Sequence, residues 1–266
     1  MNMIEVIIQH LGPMMMVLVR LGGLFIFAPV LGSPMIPGRI KALLVVILAV
    51  AVYPLLSSAM VSQVPANASL MELVPLMAME VSVGLMIGFV AMIPLFAMQT
   101  SGLVMGQQMG LGFARFYNPA SDSEADVLEQ LLFYLALATF LAMGGLEAMV
   151  LSLVRSFEYV QVGQMFFGSG AIRLLTGLLL SAMEIGLRIA APLLALIFLE
   201  TVAMGFVAKT VPQLNILSLG FPLRIIMGIA TILAGLVVIE SVMITGIERI
   251  LDSLFTWFQG FPGTST

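Results

Sequence analysis

Six ionisable side chains, which could take part in chemistry, fall inside long apolar runs of the sequence. They are Glu80, Glu147, Glu184, Arg188, Glu200 and Glu240. An unpaired charge in such a run costs about 3 kcal/mol or more. Each of these side chains therefore needs an opposite charge, water or a proton. The chemistry open to them is ion pairing, or the transfer of protons or ions.

Two of these charges have informative neighbours. Glu184 and Arg188 lie four residues apart with the acid first, the spacing of an ion pair on one helix face. Such a pair either locks helix packing or belongs to a proton relay or ion site. Glu80 precedes Gly84 by four residues and Gly88 by eight, so the three share a helix face. We predict that this face packs closely and that Glu80 contacts another subunit.

A run of glycines marks a second packing face. Gly102, Gly106 and Gly110 are spaced four apart, which on a helix makes a smooth stripe that another backbone can approach closely. Large and flexible side chains lie among these glycines and follow them, before Asn118-Pro119 ends the segment. In addition to the three glycines of the stripe, this segment contains Met105, Met109, Gly112, Phe113, Arg115, Phe116 and Tyr117.

A polar turn separates two of the longest apolar runs, with the sequence PQLNILSLGFP over 212 to 222. Pro212 and Pro222 have no backbone N–H to donate, and Gly220 readily takes a positive φ angle. Gln213 and Asn215 supply side-chain hydrogen bonds. We predict a specified turn that joins the two helices of a hairpin.

The composition places the chain among membrane proteins. Of its 266 residues 61% are hydrophobic and 9% charged, and the mean hydropathy is +1.16, which leaves too little polar surface to cover a soluble globule. The runs do not alternate as barrel strands do, so we predict an all-α membrane protein of about six long hydrophobic segments arranged as hairpins, some of them broken. Pro192 is expected to divide the fifth run by a kink or a break, so that its two halves point differently. The six runs cover 4 to 31, 40 to 61, 73 to 99, 127 to 154, 172 to 208 and 216 to 251.

Enzymatic and nucleic-acid functions are disfavoured. The sequence has one histidine, His10, and no HExxH, phosphate-binding loop or GxSxG motif. It has no cysteine, and its acids between 122 and 129 suit the capping of a following helix better than metal binding. No basic cluster could neutralise nucleic-acid phosphates. We therefore expect no catalytic residue, metal, cofactor or nucleic-acid partner.

The distribution of Lys and Arg predicts the orientation. Five basic residues follow the first, third and fifth runs, and three lie on the other side. By the positive-inside tendency both termini are expected outside the cytoplasm, which puts the turn near Lys209 on the cytoplasmic side.

The order of Pro192, Gly205, Lys209 and the PQLN turn resembles the FliR family, whose members are subunits of the flagellar type III protein-export gate. Weaker similarity covers nearly the whole chain. In the related virulence secretion systems the turn usually reads differently, so the resemblance favours the flagellar branch. Where the family usually has a histidine, this chain has Gly144-Gly145-Leu146-Glu147. Further matching positions are Arg20, Pro29, Pro37-Gly38-Arg39, Glu80, Gly84, Gly88 and Asn118-Pro119.

The resemblance implies a non-enzymatic subunit of an export pore in the bacterial inner membrane, at the flagellar basal body. It implies as partners two small hydrophobic proteins in several copies, a larger protein that contacts the cytoplasmic entrance, membrane lipid and unfolded export substrates. Family members assemble into a helical cone that rises out of the bilayer. The turn over 209 to 222 would line the entrance of the pore.

The resemblance also implies a gate. The segment from 105 to 117 is similar to one that closes the pore as a plug. A pore for unfolded protein must admit an extended chain and still hold back ions, which a dewetted hydrophobic constriction does. Methionine suits this task because it is apolar, unbranched and able to repack around cargo.

Several alternatives stay open at this stage. The intramembrane charges and Pro192 also fit an ion-coupled secondary transporter, although the halves of the chain show no convincing repeat. A subunit that holds a pore open without gating it, and the homologous subunit of a virulence system, are the others. We treat 1 to 266 as one membrane domain, with N-terminal helices over 1 to 170 and a C-terminal hairpin over 171 to 266.

Overall fold

The structure is a computed structural model that describes residues 3 to 56, 70 to 111, 127 to 163, 169 to 211, 213 and 216 to 259. Seven α-helices and one short 3₁₀ helix are found in these ranges, and no strand, so the prediction of an all-α protein is confirmed. The α-helices are α1 Met3–Phe27, α2 Gly38–Val52, α3 Leu70–Met109, α4 Val127–Ala142, α5 Gly145–Tyr159, α6 Ser169–Thr210 and α7 Ile216–Gln259, with the 3₁₀ helix at Tyr53–Leu55 after α2.

Three of the helices are unusually long. Helices α3, α6 and α7 have 40, 42 and 44 residues. At a rise of 1.5 Å per residue each is roughly 60 Å or more in length, about twice the thickness of a hydrocarbon core. Within the part of the chain that the structure describes, five helices could cross a membrane by length and composition, or six if the bent pair α4 and α5 counts as one span. The predicted number of about six segments is confirmed.

The fourth apolar run is two helices and not one. Helices α4 and α5 are bent by 63° at a short break. Gly144 lies in this break with a φ of 74°, in the left-handed region that glycine adopts without a steric penalty. The break therefore has a local cause, Gly144, although the hydropathy of the sequence shows one continuous apolar run.

Pro192 and Pro222 lie inside helices, against the prediction. Helix α6 continues through Pro192, so the expectation of a break in the fifth run is wrong, and a kink at this proline stays a prediction. Helix α7 begins at Ile216 and contains Gly220 and Pro222, so the turn is shorter than 212 to 222. A proline removes a single backbone hydrogen bond, and long apolar helices tolerate this loss when neighbouring groups compensate it.

The chain forms two compact units. Unit 1 comprises Met1–Ile93, Met143–Leu178 and Arg249–Thr266, and unit 2 comprises Pro94–Ala142 and Leu179–Glu248. Helices α3, α6 and α7 each contribute residues to both units. The interpretation of 1 to 266 as a single membrane domain stays a prediction.

Within unit 1, helices α1 and α3 cross with their backbones in direct contact. A β-carbon at Gly23 would overlap the carbonyl oxygen of Val81, and one at Gly84 would overlap that of Arg20. A β-carbon at Gly88 would lie 2.6 Å from the carbonyl oxygen of Leu24. Glycine is therefore required on both helices, and the crossing brings residues near 20 and 80 side by side.

This crossing predicts a sharp difference between two adjacent glycines. We expect Gly23→Ala to destabilise the chain by about 1–3 kcal/mol, because the new methyl group meets backbone that cannot move aside. Gly22→Ala is the matched control: nothing lies within 4 Å of a β-carbon there, and alanine favours a helix. Thermal unfolding of the chain in mild detergent measures both variants. Equal effects would contradict the close crossing.

Candidate functional site

A buried ion pair occupies the centre of unit 1. Arg20 of α1 is completely buried, and its Nε donates to Oε2 of Glu80 on α3 at 2.6 Å. Its Nη1 donates to the hydroxyl of Ser156 on α5 at 2.8 Å. The guanidinium carbon lies 3.8 Å from the ring centroid of Phe157, which adds a cation–π contact. The pair therefore joins three helices.

The remaining polar atoms of this cluster are also engaged. Oε1 of Glu80 accepts a hydrogen bond from the backbone N–H of Gly163 at 3.1 Å, and Glu80 is 1% exposed. Buried charges are tolerated when they are paired and their other hydrogen-bonding positions are filled. The predicted contact of Glu80 with another subunit is wrong, because both carboxylate oxygens bind within the chain.

A second ion pair crosses the hairpin of α6 and α7 in unit 2. Nε of Arg224 donates to Oε2 of Glu200 at 2.9 Å, and its Nη2 donates to the hydroxyl of Thr201 at 3.0 Å. The side chain of Glu200 is 2% exposed and that of Arg224 is 30% exposed. The sequence placed Glu200 in an apolar run but indicated no partner, because Arg224 follows 24 residues later on the other helix.

An open cleft of about 200 Å³ adjoins this pair. Besides Glu200, Thr201 and Arg224, it is lined by Met204, Gly205, Ala208, Gly220 and Phe221. The cleft thus lies between the last turns of α6 and the second turn of α7, close to the predicted cytoplasmic turn.

The turn itself is short. Lys209 lies in the last turn of α6, where a base suits the negative end of the helix dipole. Gln213 is exposed. Pro212 and Asn215 lie outside the described residues. Gly220 and Pro222, which the sequence assigned to the turn, lie in α7.

The glycine stripe at the end of α3 is shorter than predicted. Gly102 packs on α4, where its β-carbon would lie 2.7 Å from Cα of Glu129, and Gly106 is buried in α3. Gly110 follows the last residue of the helix with a φ of 81°, so it ends α3 instead of extending the stripe. The positive φ favours glycine at this helix end.

The methionines of the predicted gate face inward. Met105 and Met109 are each 1% exposed, whereas Gln107 and Gln108 between them are exposed. Both methionines are therefore packed within the protein rather than presented on its surface. The rest of the predicted gate lies outside the described residues, namely Gly112, Phe113, Arg115, Phe116 and Tyr117.

The pair predicted from its spacing is present on the surface of α6. Nη2 of Arg188 donates to Oε1 of Glu184 at 2.7 Å, and the side chains are 65% and 62% exposed. Leu180, Met183 and Leu187 are exposed beside it. Because most of each charged side chain is uncovered, the pair does not lock packing between helices of this chain.

Sequence comparison places these features in a family. Residues 11–250 match the family described as bacterial export proteins, family 1. The chain is 31% identical over 217 residues to flagellar biosynthetic protein FliR of Escherichia coli K12, which covers 82% of this chain and 81% of that protein. The chain belongs to the FliR family of bacterial export proteins.

Other members of the FliR family extend this result. FliR of Bacillus subtilis is 28% identical over 248 residues, covering 90% of this chain and 93% of that protein. Yop proteins translocation protein T of Yersinia pestis is 28% identical over 212 residues, covering 79% of this chain and 80% of that protein. The chain is therefore a membrane subunit of a type III export gate, and this interpretation is favoured over a transporter.

Within this FliR-family chain, the buried pair of unit 1 predicts a non-additive pattern of stability. Arg20→Met alone leaves the Glu80 carboxylate buried without its counter-charge, and we expect a loss of about 3–5 kcal/mol. Adding Glu80→Leu removes that charge, so the double variant should be more stable than Arg20→Met. Thermal unfolding in mild detergent measures Arg20→Met, Glu80→Leu and the double variant. Losses that simply add would show that the two side chains act independently.

The two pairs on α6 predict unequal effects of the same substitution. Glu200→Gln removes a buried carboxylate that binds Arg224, and we expect a loss of about 1–3 kcal/mol. Glu184→Gln is the matched control on the same helix, where an exposed pair contributes about 0.5 kcal/mol or less. Denaturation of the purified chain compares them. A larger loss for Glu184→Gln would reverse the assigned roles of the pairs.

Proposed function

We propose that this subunit forms part of the wall of the flagellar export pore in the bacterial inner membrane, at the flagellar basal body, and gates it. The observation that carries the proposal is the end of α3. There Met105 and Met109 are buried, and Gly110, with a φ of 81°, ends the helix. A long, firmly packed helix thus supports the start of the segment that the family resemblance assigns to the plug.

The roles within 105 to 117 divide at Gly110. Met105 and Met109 are packed in the protein, so they anchor the segment. Closure of the pore falls to the residues from Gly110 onward: Gly110, Gly112, Phe113, Arg115, Phe116 and Tyr117. Bulky apolar side chains there would exclude water and ions at rest and yield to an unfolded substrate. The subunit catalyses no reaction, and the energy for export comes from elsewhere in the apparatus.

The partners would bind the uncovered apolar surface of the C-terminal hairpin. Large apolar side chains on α6 and α7 are exposed, and such exposed apolar surface marks a site that binds protein or membrane. Among them are Phe198, Phe206, Leu233 and Val237, exposed by 67%, 70%, 68% and 75%. We assign this surface to membrane lipid and to two small hydrophobic multi-copy subunits. Because these helices are about twice as long as a bilayer core is thick, part of each lies outside the hydrocarbon.

The cytoplasmic entrance would be formed by the turn between α6 and α7. Lys209 and Gln213 lie at this end of the hairpin, next to the cleft of Glu200 and Arg224. A larger subunit would contact the entrance here. The proposed entrance residues are Lys209, Pro212, Gln213, Asn215, Gly220 and Pro222. The interpretation of 1 to 266 as one membrane domain with a hairpin over 171 to 266 belongs to the same proposal.

Deletion of residues 110 to 117 tests the gate. We expect the assembled apparatus to leak ions at rest, measured as a loss of membrane potential, because the constriction that excludes water is gone. Purification in mild detergent with mass spectrometry should still recover the other gate subunits in a fixed ratio. Loss of those subunits without a leak would instead identify a purely structural subunit. Recovery of the unmodified chain alone would contradict the gate complex.

A further inference from the structure

Three exposed charges lie at one level of the hairpin of α6 and α7, and together they form a charged band: Glu184, Arg188 and Glu240. Glu184 precedes Glu200 on α6 by 16 residues, and Glu240 follows Arg224 on α7 by the same number. Because Glu200 and Arg224 bind each other across the two antiparallel helices, both outer acids lie about 24 Å from that contact along the hairpin. The ion pair of α6 and the carboxylate of α7 therefore share a level.

The two helices still lie side by side at the charged band. A β-carbon at Gly246 of α7 would lie 3.2 Å from Cδ1 of Ile185 on α6. Glu240 lies on α7 between this contact and the one at Arg224, and all of these residues belong to unit 2. A molecule that binds at the charged band therefore meets both helices of the hairpin.

The pair on α6 points away from α3. A β-carbon at Gly186 would lie 2.9 Å from the carbonyl oxygen of Ala97 on α3, so this side of α6 is covered within unit 2. Residues two positions before and after Gly186 lie on the opposite side of a helix with 3.6 residues per turn. Glu184 and Arg188 are those residues, and both are mostly exposed.

The charged band is set in an apolar surface. Leu180 and Leu187 lie within one turn of Glu184, Val237 lies within one turn of Glu240, and all three apolar side chains are exposed. Lipid disfavours the charges of such a surface, and water disfavours its apolar side chains. A protein surface that is apolar and carries a matching charge suits both.

The charges of the band do not balance. Nη2 of Arg188 donates to Oε1 of Glu184 at 2.7 Å. Glu240, in contrast, forms no ion pair with any residue in the described part of the chain. Two carboxylates and one guanidinium leave one negative charge, and charges in apolar surroundings pair with opposite charges. The missing charge is a base, and its place is at Glu240.

We propose that the charged band docks an apolar helix of a neighbouring gate subunit, and that a Lys or Arg of this helix pairs with Glu240. The inference rests on the proposed place of the chain in the gate complex and names the chemistry of one partner. Leu180, Leu187 and Val237 contact the apolar face of the docked helix. The ion pair fixes the register of the two subunits, because a slip by one helical turn, about 5.4 Å, separates the charges.

Charge reversal tests the docking site in the assembled apparatus. We expect Glu240→Lys to lower the recovery of small gate subunits with the tagged chain at least about tenfold, because two bases then face each other in an apolar interface. Mass spectrometry after purification in mild detergent measures the recovery. Glu240→Gln should cause a smaller loss. Asp252→Lys replaces another exposed acid of α7 and is the matched control, for which we expect unchanged recovery.

A second experiment identifies the base. A photo-crosslinking amino acid at position 240 should attach, in the assembled apparatus, to a small hydrophobic gate subunit. The attached peptide should carry a Lys or Arg within one helical turn of the cross-link. Replacing that base with Glu should restore the recovery that Glu240→Lys loses. The same photo-crosslinking amino acid at position 252 is the control and should not give this product.

The outcomes separate the docking site from the gate complex. If the unmodified chain recovers no gate subunit, the proposed complex falls and the docking site falls with it. If Glu240→Lys recovers as many subunits as the unmodified chain, the docking site is overturned and the complex stands. If Glu240→Lys does not fold, the cross-link decides. Attachment to lipid, to a second copy of this chain or to a helix without a base overturns the docking site.

Discussion

The structure of unit 1 depends on the pairing of Arg20 with Glu80. A guanidinium without access to water is tolerated only if its charge is balanced and its N–H groups find acceptors. Here these come from three helices, since Glu80 lies on α3 and Ser156 on α5. The pair forms where α1 and α3 touch at the backbone, a contact that Gly84 makes feasible. Electrostatics and sterics therefore impose the same helix crossing.

Unit 2 uses small residues in the same way but for a different purpose. Gly102 admits α4 to the surface of α3, and a β-carbon at Gly186 of α6 would lie 2.9 Å from the carbonyl oxygen of Ala97 on α3. Gly228 receives the side chain of Met109 in place of a backbone. A backbone contact is rigid, whereas a thioether can withdraw and repack. The softer contact lies where the proposed function needs movement.

The ion pairs follow a gradient of exposure that agrees with membership of an export gate. The Arg20–Glu80 pair is buried, the Glu200–Arg224 pair is partly open beside a cleft, and the Glu184–Arg188 pair is mostly exposed. A charged pair on an otherwise apolar helix surface is costly in lipid and unremarkable against water or a polar partner. A subunit of a larger assembly, with some of its helical surface covered by neighbours, accounts for this better than a solitary transporter.

The sequence by itself determined the membrane class, the all-α fold, the approximate number of long segments and the family. Composition, the length of apolar runs and the order of motifs can be read along the chain without knowing which distant residues come into contact. It also placed Glu184 beside Arg188, since that pair lies within one helical turn. The tertiary structure decided the partner of Glu80, which is 60 residues away, and the contact of Met109 with α7. It also decided that α6 passes through Pro192, because whether a helix survives a proline depends on neighbouring helices that local pattern does not reveal.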